Sequence, residues 1–133
     1  LGRYAQVDNA RFRLLKAHTP GAYTFILRGT REVPRRLLHK KHDTIGLRVP
    51  AHPIVQALLA ELGEPILSST LLLFGEDVPL TEPWEIRERL EHQVDLVIDG
   101  GACGLTPTTV VDLTGDAPAV LRYGKGDASG FES

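Results

Sequence analysis

The sequence has no methionine, one cysteine (Cys103) and one tryptophan (Trp84) in 133 residues. A single cysteine excludes an internal disulfide framework, so the fold must rest on its apolar core, and the cytoplasm is the expected compartment. No apolar run approaches the roughly 18 residues of a membrane-crossing helix, and no basic-then-apolar leader is present, so neither a membrane partner nor export is expected. Internal repeats and long low-complexity linkers are missing as well. The nucleophile elbow, the zinc-protease helix and paired-cysteine metal sites are all absent, and five scattered histidines do not make a catalytic triad. His39 and His42 stand three apart, but no third ligand is spaced to complete a metal site. With Leu1 first and no methionine anywhere, the chain reads as a piece of a longer or processed protein.

What is present is an ordinary globular composition, 42% apolar and 24% charged. A chain of this length fits one domain and can bury roughly two-thirds of its unfolded surface. The expected domain covers 1–123. Residues 124–133, polar and glycine-rich, read as a flexible tail. Gly124 and Gly126 in that tail have neither the Walker spacing nor the strand-to-helix setting of a phosphate loop.

The pattern predicts an α/β fold with a twisted, open, mixed sheet flanked by helices. Its organising stretch is 44–73. Ile45, Leu47 and Val49 alternate as a strand, Pro50 and Pro53 stop it, and Ile54, Leu58, Leu59 and Leu62 recur at helical spacing until Gly63. A second strand at 66–70 would then complete a right-handed crossover and lie parallel to the first. Earlier in the chain, Asp8 or Asn9 caps a helix running to about Lys16, with Phe12, Leu14 and Leu15 as apolar contacts, and 23–27 is strand-like. Residues 33–42 read as a short basic helix opened by Pro34. Beyond the crossover, Thr81 caps a helix to about His92, 94–98 is a buried strand, and 108–113 and 119–123 form an antiparallel pair through a Gly115-Asp116 turn.

Charge is divided unevenly: residues 1–48 balance at +8 and residues 49–133 at −10, giving the net −2. The first third is thus anion-seeking in composition, and Arg35, Arg36, Lys40 and Lys41 make its densest run. Such a run is either a solvated face or a contact for RNA phosphates. Cys103 has no basic neighbour in sequence to activate it. Hydroxyls and guanidinium groups collect at predicted strand ends: Thr24, Arg48, Ser69, Thr70, Thr108, Thr109 and Arg122. Donors in that position suit phosphate or carboxylate recognition, while each alone is also common in ordinary strands.

These residues fall in motifs that resemble the YrdC/YciO family, whose best-understood members make threonylcarbamoyl-adenylate for tRNA modification. P-G-A-Y-T at 20–24 resembles the family's P-G-P-x-T, and T-I-G-L-R-V-P-A-H-P at 44–53 its T-V-x-x-R-x-P-x-H-P. G-L-T-P-T-T-V-V-D-L at 104–113 is similar to G-x-x-E-S-T-V-V-D, and L-R-Y-G at 121–124 to R-x-G. The stretch from Pro20 through P-R-R-L-L places the chain nearer the YciO branch. The resemblance implies ATP as a substrate, with Mg as its candidate companion ion, threonine as a second ligand, and RNA or tRNA as a further partner. It implies that Thr24, Ser69, Thr70 and Arg122 face the nucleotide and that Arg48, Thr108 and Thr109 face the amino-acid substrate. The chain departs from the pattern in three places. Thr70-Leu71-Leu72 stands where the synthases read S-A-N, Pro107-Thr108-Thr109 replaces E-S-T, and the family's P-T-D-T-x-Y-G-L and K-x-R motifs have no counterpart. Reduced or altered synthase activity is the expectation for the parent, none for this piece alone, and a non-catalytic RNA-binding module is the alternative.

Overall fold

The structure, a computed structural model, describes residues 4–39 and 41–132, which group into two compact units: Leu1–His52 with Pro107–Ser133, and Pro53–Thr106.

In the first unit, alternation builds the sheet. Strand β1 (Tyr23–Arg28) buries Tyr23, Phe25 and Leu27, leaves Thr24 and Ile26 half-buried, and exposes Arg28. Strand β2 (Thr44–Leu47) runs antiparallel to it and sets Ile45 beside Leu27. On the other side, β3 (Thr109–Asp112) runs parallel to β1, with Thr24 opposite Val110. Strand β4 (Ala119–Arg122) returns antiparallel to β3, and an irregularity between Val110 and Val111 brings Arg122 opposite Val110. The order β2-β1-β3-β4 is the expected open, mixed sheet, and the predicted antiparallel pair at its end is present.

Helix α1 (Asn9–His18) covers the inward face. The Asp8 carboxylate accepts the Arg11 backbone N–H at 2.8 Å, satisfying a donor that the first turn leaves unpaired. Leu15 enters the core, whereas Phe12, expected as an apolar contact, is 55% exposed. The Arg11 guanidinium reaches across to donate to the carbonyls of Leu113 and Gly115, fastening α1 to the end of β3. Leu15, Phe25, Leu27, Val111 and Phe131 make the centre of the core, and burying each such side chain contributes roughly 1.5–3 kcal/mol.

Phe131 belongs to the stretch expected as a loose tail. Residues 124–132 instead fold back on the sheet: Tyr23 donates its hydroxyl to the Asp127 carbonyl at 2.9 Å, and the Phe131 ring lies 4.3 Å from His18 and 5.7 Å from both Tyr23 and Phe25, centroid to centroid. Polar and small residues around one aromatic hid an anchor of this kind. Where the anchor lands, the Ser129 backbone N–H and hydroxyl bind Asp127 and hold its carboxyl below the usual carboxylate range. The Arg11 backbone N–H, with its guanidinium, does the same for Asp8. A depressed carboxyl stabilises the fold above the unfolded value of 3.8 and stops doing so as pH falls through the folded value. Urea midpoints measured downward from pH 5 should therefore fall below about pH 4. Asp8→Asn with Asp127→Asn should flatten that decline; an unchanged acid limb would show that neither carboxylate supports the fold.

The basic segment departs from the sequence reading. In place of a helix over 33–42 there is one 3-10 turn, Arg35–Leu37. Gly29 donates to Asp43 O at 3.0 Å and His39 to Thr44 O at 2.8 Å, so the two ends of the connection are pinned together. Leu38 is extended, with φ −84° and ψ 147°, and His39 gives its N–H to Thr44 instead of to the carbonyl four residues back, so the turn does not propagate into a helix.

The second unit holds α2 (Pro53–Leu62) and α3 (Pro83–Leu90) and, among the described residues, no strand. Helix α2 ends at Gly63, whose φ of +74° is the left-handed conformation expected there. Glu82 rather than Thr81 stands at the start of α3, without a side-chain cap, and the Thr81 carbonyl accepts from the Cys103 backbone N–H at 3.1 Å. Arg89 pairs with Glu76 and with Glu85, and the hydrogen bond to Glu76 raises its pKa further. The predicted strands at 66–70 and 94–98 are not formed, and the parallel crossover expected from the 44–49 strand to 66–70 fails because its second strand is missing. Apolar residues in a short run fit a strand only where a neighbour accepts their backbone hydrogen bonds, and none is available within this unit.

Candidate anion-binding site

The outward face of the sheet gathers three of the residues singled out in sequence. Thr24 of β1 and Thr108, just before β3, bring their hydroxyls to 2.7 Å. From β4, Arg122 donates through Nε to the Thr108 carbonyl and through Nη2 to the Thr108 hydroxyl, each at 3.0 Å. Parallel pairing of β1 with β3 and antiparallel pairing of β3 with β4 produce this meeting, since all three residues point away from the core.

Proton counting shows what the cluster offers. Guanidinium carries five N–H groups, of which Thr108 takes two, and the side used is the Nε–Nη2 edge. The end-on fork of Nη1 and Nη2 stays available for a bidentate acceptor. Two hydroxyls have two protons and share one bond, so one proton is also left over, whichever threonine donates. Among the described residues no carboxylate bonds to the cluster, and Asp112, on the same face beside Ile26, accepts on Oδ1 from the Thr114 backbone N–H and hydroxyl. A surplus of donors around a fixed cation is a setting for an anion.

Arg48 belongs to the same face. The β1–β2 ladder ends at the Phe25–Leu47 pair, and Arg48 is the exposed residue that follows it; one more step of the same register would set it across from Thr24. Thr109 does not belong: it is fully buried, its hydroxyl donates to the Gly126 carbonyl at 2.6 Å and accepts the Gly124 N–H at 3.1 Å, and no room remains for a substrate contact. Strand alternation alone predicts that outcome, because neighbours 108 and 109 face opposite sides. Ser69 and Thr70 are exposed in an irregular stretch of the second unit, where Ser69 donates to the Thr70 carbonyl. Arg35, Arg36 and Lys41 are exposed on the β1–β2 connection, and Lys40 lies outside the described residues. His39 and His42 stack at 4.9 Å.

Sequence reasoning passed over Arg28, which alternation also turns outward at the far end of β1. It lines a cleft of about 400 Å³ with Gln6, Asp8, Arg11 and Thr114, in which Arg11 is already committed to Asp8 and to two carbonyls. The signal was its period-2 relation to Thr24.

A family model described as "Telomere recombination", covering Sua5, YciO and YrdC proteins, matches residues 1–124. The chain belongs to the Sua5/YciO/YrdC family. Within that family it is 59% identical to Escherichia coli YciO over 131 residues, covering 98% of this chain and 64% of YciO. A threonylcarbamoyl-AMP synthase of Bacillus subtilis is 31% identical over 112 residues, covering 84% of this chain and 32% of that one. The crystal structure of Escherichia coli YciO superposes with a TM-score of 0.91 at 58% identity, over 98% of this chain and 64% of that one. Pyrococcus abyssi Sua5, "P. abyssi Sua5 complexed with L-threonine", superposes with a TM-score of 0.79 at 29% identity, over 92% of this chain and 36% of that one. The chain thus spans 64% of the length of the YciO relatives it matches. Among the described residues no helix is long and apolar enough to cross a membrane.

Proposed function

We propose that the outward sheet face binds the phosphates of ATP in a protein of the threonylcarbamoyl-AMP synthase type, working with reduced or altered activity. The Thr24–Thr108–Arg122 cluster carries this reading, because it is a fixed array of donors free of carboxylates. Kinship with a threonylcarbamoyl-AMP synthase and with a Sua5 complexed with L-threonine supplies the reaction class and the second substrate. In that reaction a carboxylate oxygen of the carbamoylated amino acid bonds to the α-phosphorus, the bond to the β-phosphate breaks, and pyrophosphate leaves with the electron pair. Charge grows on the phosphate oxygens, and preorganised donors such as the free fork of Arg122 stabilise it without reorganising. Arg48, exposed just past the end of β2, would hold the carboxylate of the incoming amino acid. Hydroxyls and a guanidinium do not suit Mg²⁺, which prefers carboxylate and phosphate oxygens, so a metal arriving with ATP takes its ligands from the phosphates.

Leu72, where the synthases have asparagine, has a side chain that offers no hydrogen bond and is 49% exposed. That substitution motivates the altered activity. Incubating the full-length protein with ATP, bicarbonate and threonine should release pyrophosphate more slowly than a synthase does. Absence of both pyrophosphate release and ATP binding would refute the reading.

A second reading rests on Arg35, Arg36 and Lys41, exposed cations on a closed connection, which fit contact with RNA phosphates. Affinity for duplex RNA should drop about tenfold or more between low and physiological salt. Replacing Arg35, Arg36, Lys40 and Lys41 with alanine should flatten that slope and leave the circular dichroism spectrum unchanged; a salt-independent affinity would exclude this mode of binding.

A further inference from the structure

Arg122 is exposed on an edge strand, where a long side chain ordinarily samples many rotamers. Both of its bonds go to Thr108, so its aim depends on how firmly the end of β4 is held against that residue. The holding is done one residue along, on the buried side. Thr109 is 0% exposed beside the inward Val111 and Leu113, a place where valine would pack equally well. A hydroxyl there costs desolvation unless it is bonded, and this one is bonded twice, to the Gly126 carbonyl and the Gly124 N–H. Lys125 N–H adds a third bond, to the Pro107 carbonyl at 2.8 Å. The segments 107–109 and 124–126 are thereby drawn so close that a Cβ on Gly124 would press into the carbonyl oxygens of Pro107 and Thr108. That contact, rather than a phosphate loop, accounts for glycine at this position.

We propose that Thr109 is a positioning residue for Arg122: its buried hydroxyl, acting through Gly124 and Gly126, clasps the end of β4 to Thr108 so that the guanidinium turns its free fork to the outer face. The inference rests on Arg122 being a nucleotide contact, as proposed above. It reassigns Thr109 from touching substrate to aiming the residue that does. The clasp works from the core side, so no ligand needs to reach it.

The test is ATP titration calorimetry on the full-length protein, with thermal melts confirming that each variant folds. Thr109→Val should weaken ATP binding about fivefold or more, Thr109→Ser should stay within about twofold of wild type, and Thr109→Val added to Arg122→Ala should cost less than about twofold beyond Arg122→Ala alone. That last figure is the signature of acting through Arg122, which a merely stabilising role would not give. Gly124→Ala moves the same segment without touching the hydroxyl and should reproduce the Thr109→Val loss, so the comparison stands even if Thr109→Val melts too low to titrate. Wild-type affinity in Thr109→Val or, where that variant does not fold, in Gly124→Ala, or an equal loss with and without Arg122, would overturn the clasp alone. Unchanged affinity in Arg122→Ala itself would overturn the nucleotide reading, and the clasp with it.

Discussion

Arg122→Ala should lower the ATP affinity of the full-length protein by about 10- to 100-fold, the equivalent of losing hydrogen bonds to a charged group worth roughly 1.5–3 kcal/mol. The removed group is the cation of the cluster, and Thr24 and Thr108 keep their mutual bond without it. Arg122→Lys preserves the charge but replaces a planar fork by a point charge that cannot span the Thr108 carbonyl, hydroxyl and a phosphate together. Its affinity should fall between those of wild type and alanine. Since Arg122 is exposed, the melting temperature should barely change in either variant, which separates lost binding from lost folding. Calorimetric titration decides the matter: equal ATP affinity in all three proteins would remove Arg122 from the site.

The first unit was largely legible in sequence because its signals are local and two-sided. Tyr23-Thr24-Phe25-Ile26-Leu27 is an aromatic and β-branched run closed by Gly29, Asp8 stands where a cap is needed, and Gly115-Asp116 joins two short strands that have few other ways to pair. The second unit was not, and Ile66-Leu67 shows why. An apolar run states that burial is wanted, but a strand also needs a neighbour for its backbone, which no pattern within the run can report. The same limit applied to 33–42, where helical spacing was present but Leu38 is extended and the His39 N–H pairs with Thr44 across the connection.

The site divides along similar lines. Thr24, Thr108 and Arg122 were each visible as donors at strand ends, and the motifs they sit in pointed to one family. Their meeting required the strand order, because residues 84 apart in the chain share a hydrogen bond only through the parallel β1–β3 pairing. Thr109 was misplaced although alternation gives its direction: being next to an outward-facing threonine in sequence puts a strand residue on the opposite face. On the proposed reading, adjacent residues of one motif divide two tasks, one presenting the site and one fastening it.

Phe131→Ala should lower stability by about 3–5 kcal/mol, as for aromatic truncation in a packed core. A chain of this size has roughly 5–15 kcal/mol in total, so about a fifth or more of the margin is at stake. The ring is 3% exposed and meets His18, Tyr23 and Phe25, which tie α1, β1 and the C-terminal segment into one cluster. Its removal empties the space between helix and sheet and frees residues 124–132, so the bonds of Tyr23 to Asp127 and of Thr109 to Gly126 weaken with it. Phe12→Ala is the matched control, the same deletion at a residue 55% exposed, and should change stability by less than about 1 kcal/mol. Urea unfolding of both variants followed by circular dichroism gives the two midpoints. Near-equal midpoints would mean that the C-terminal segment is the loose tail its composition suggests, and that Arg122 is held by Thr108 without help from behind.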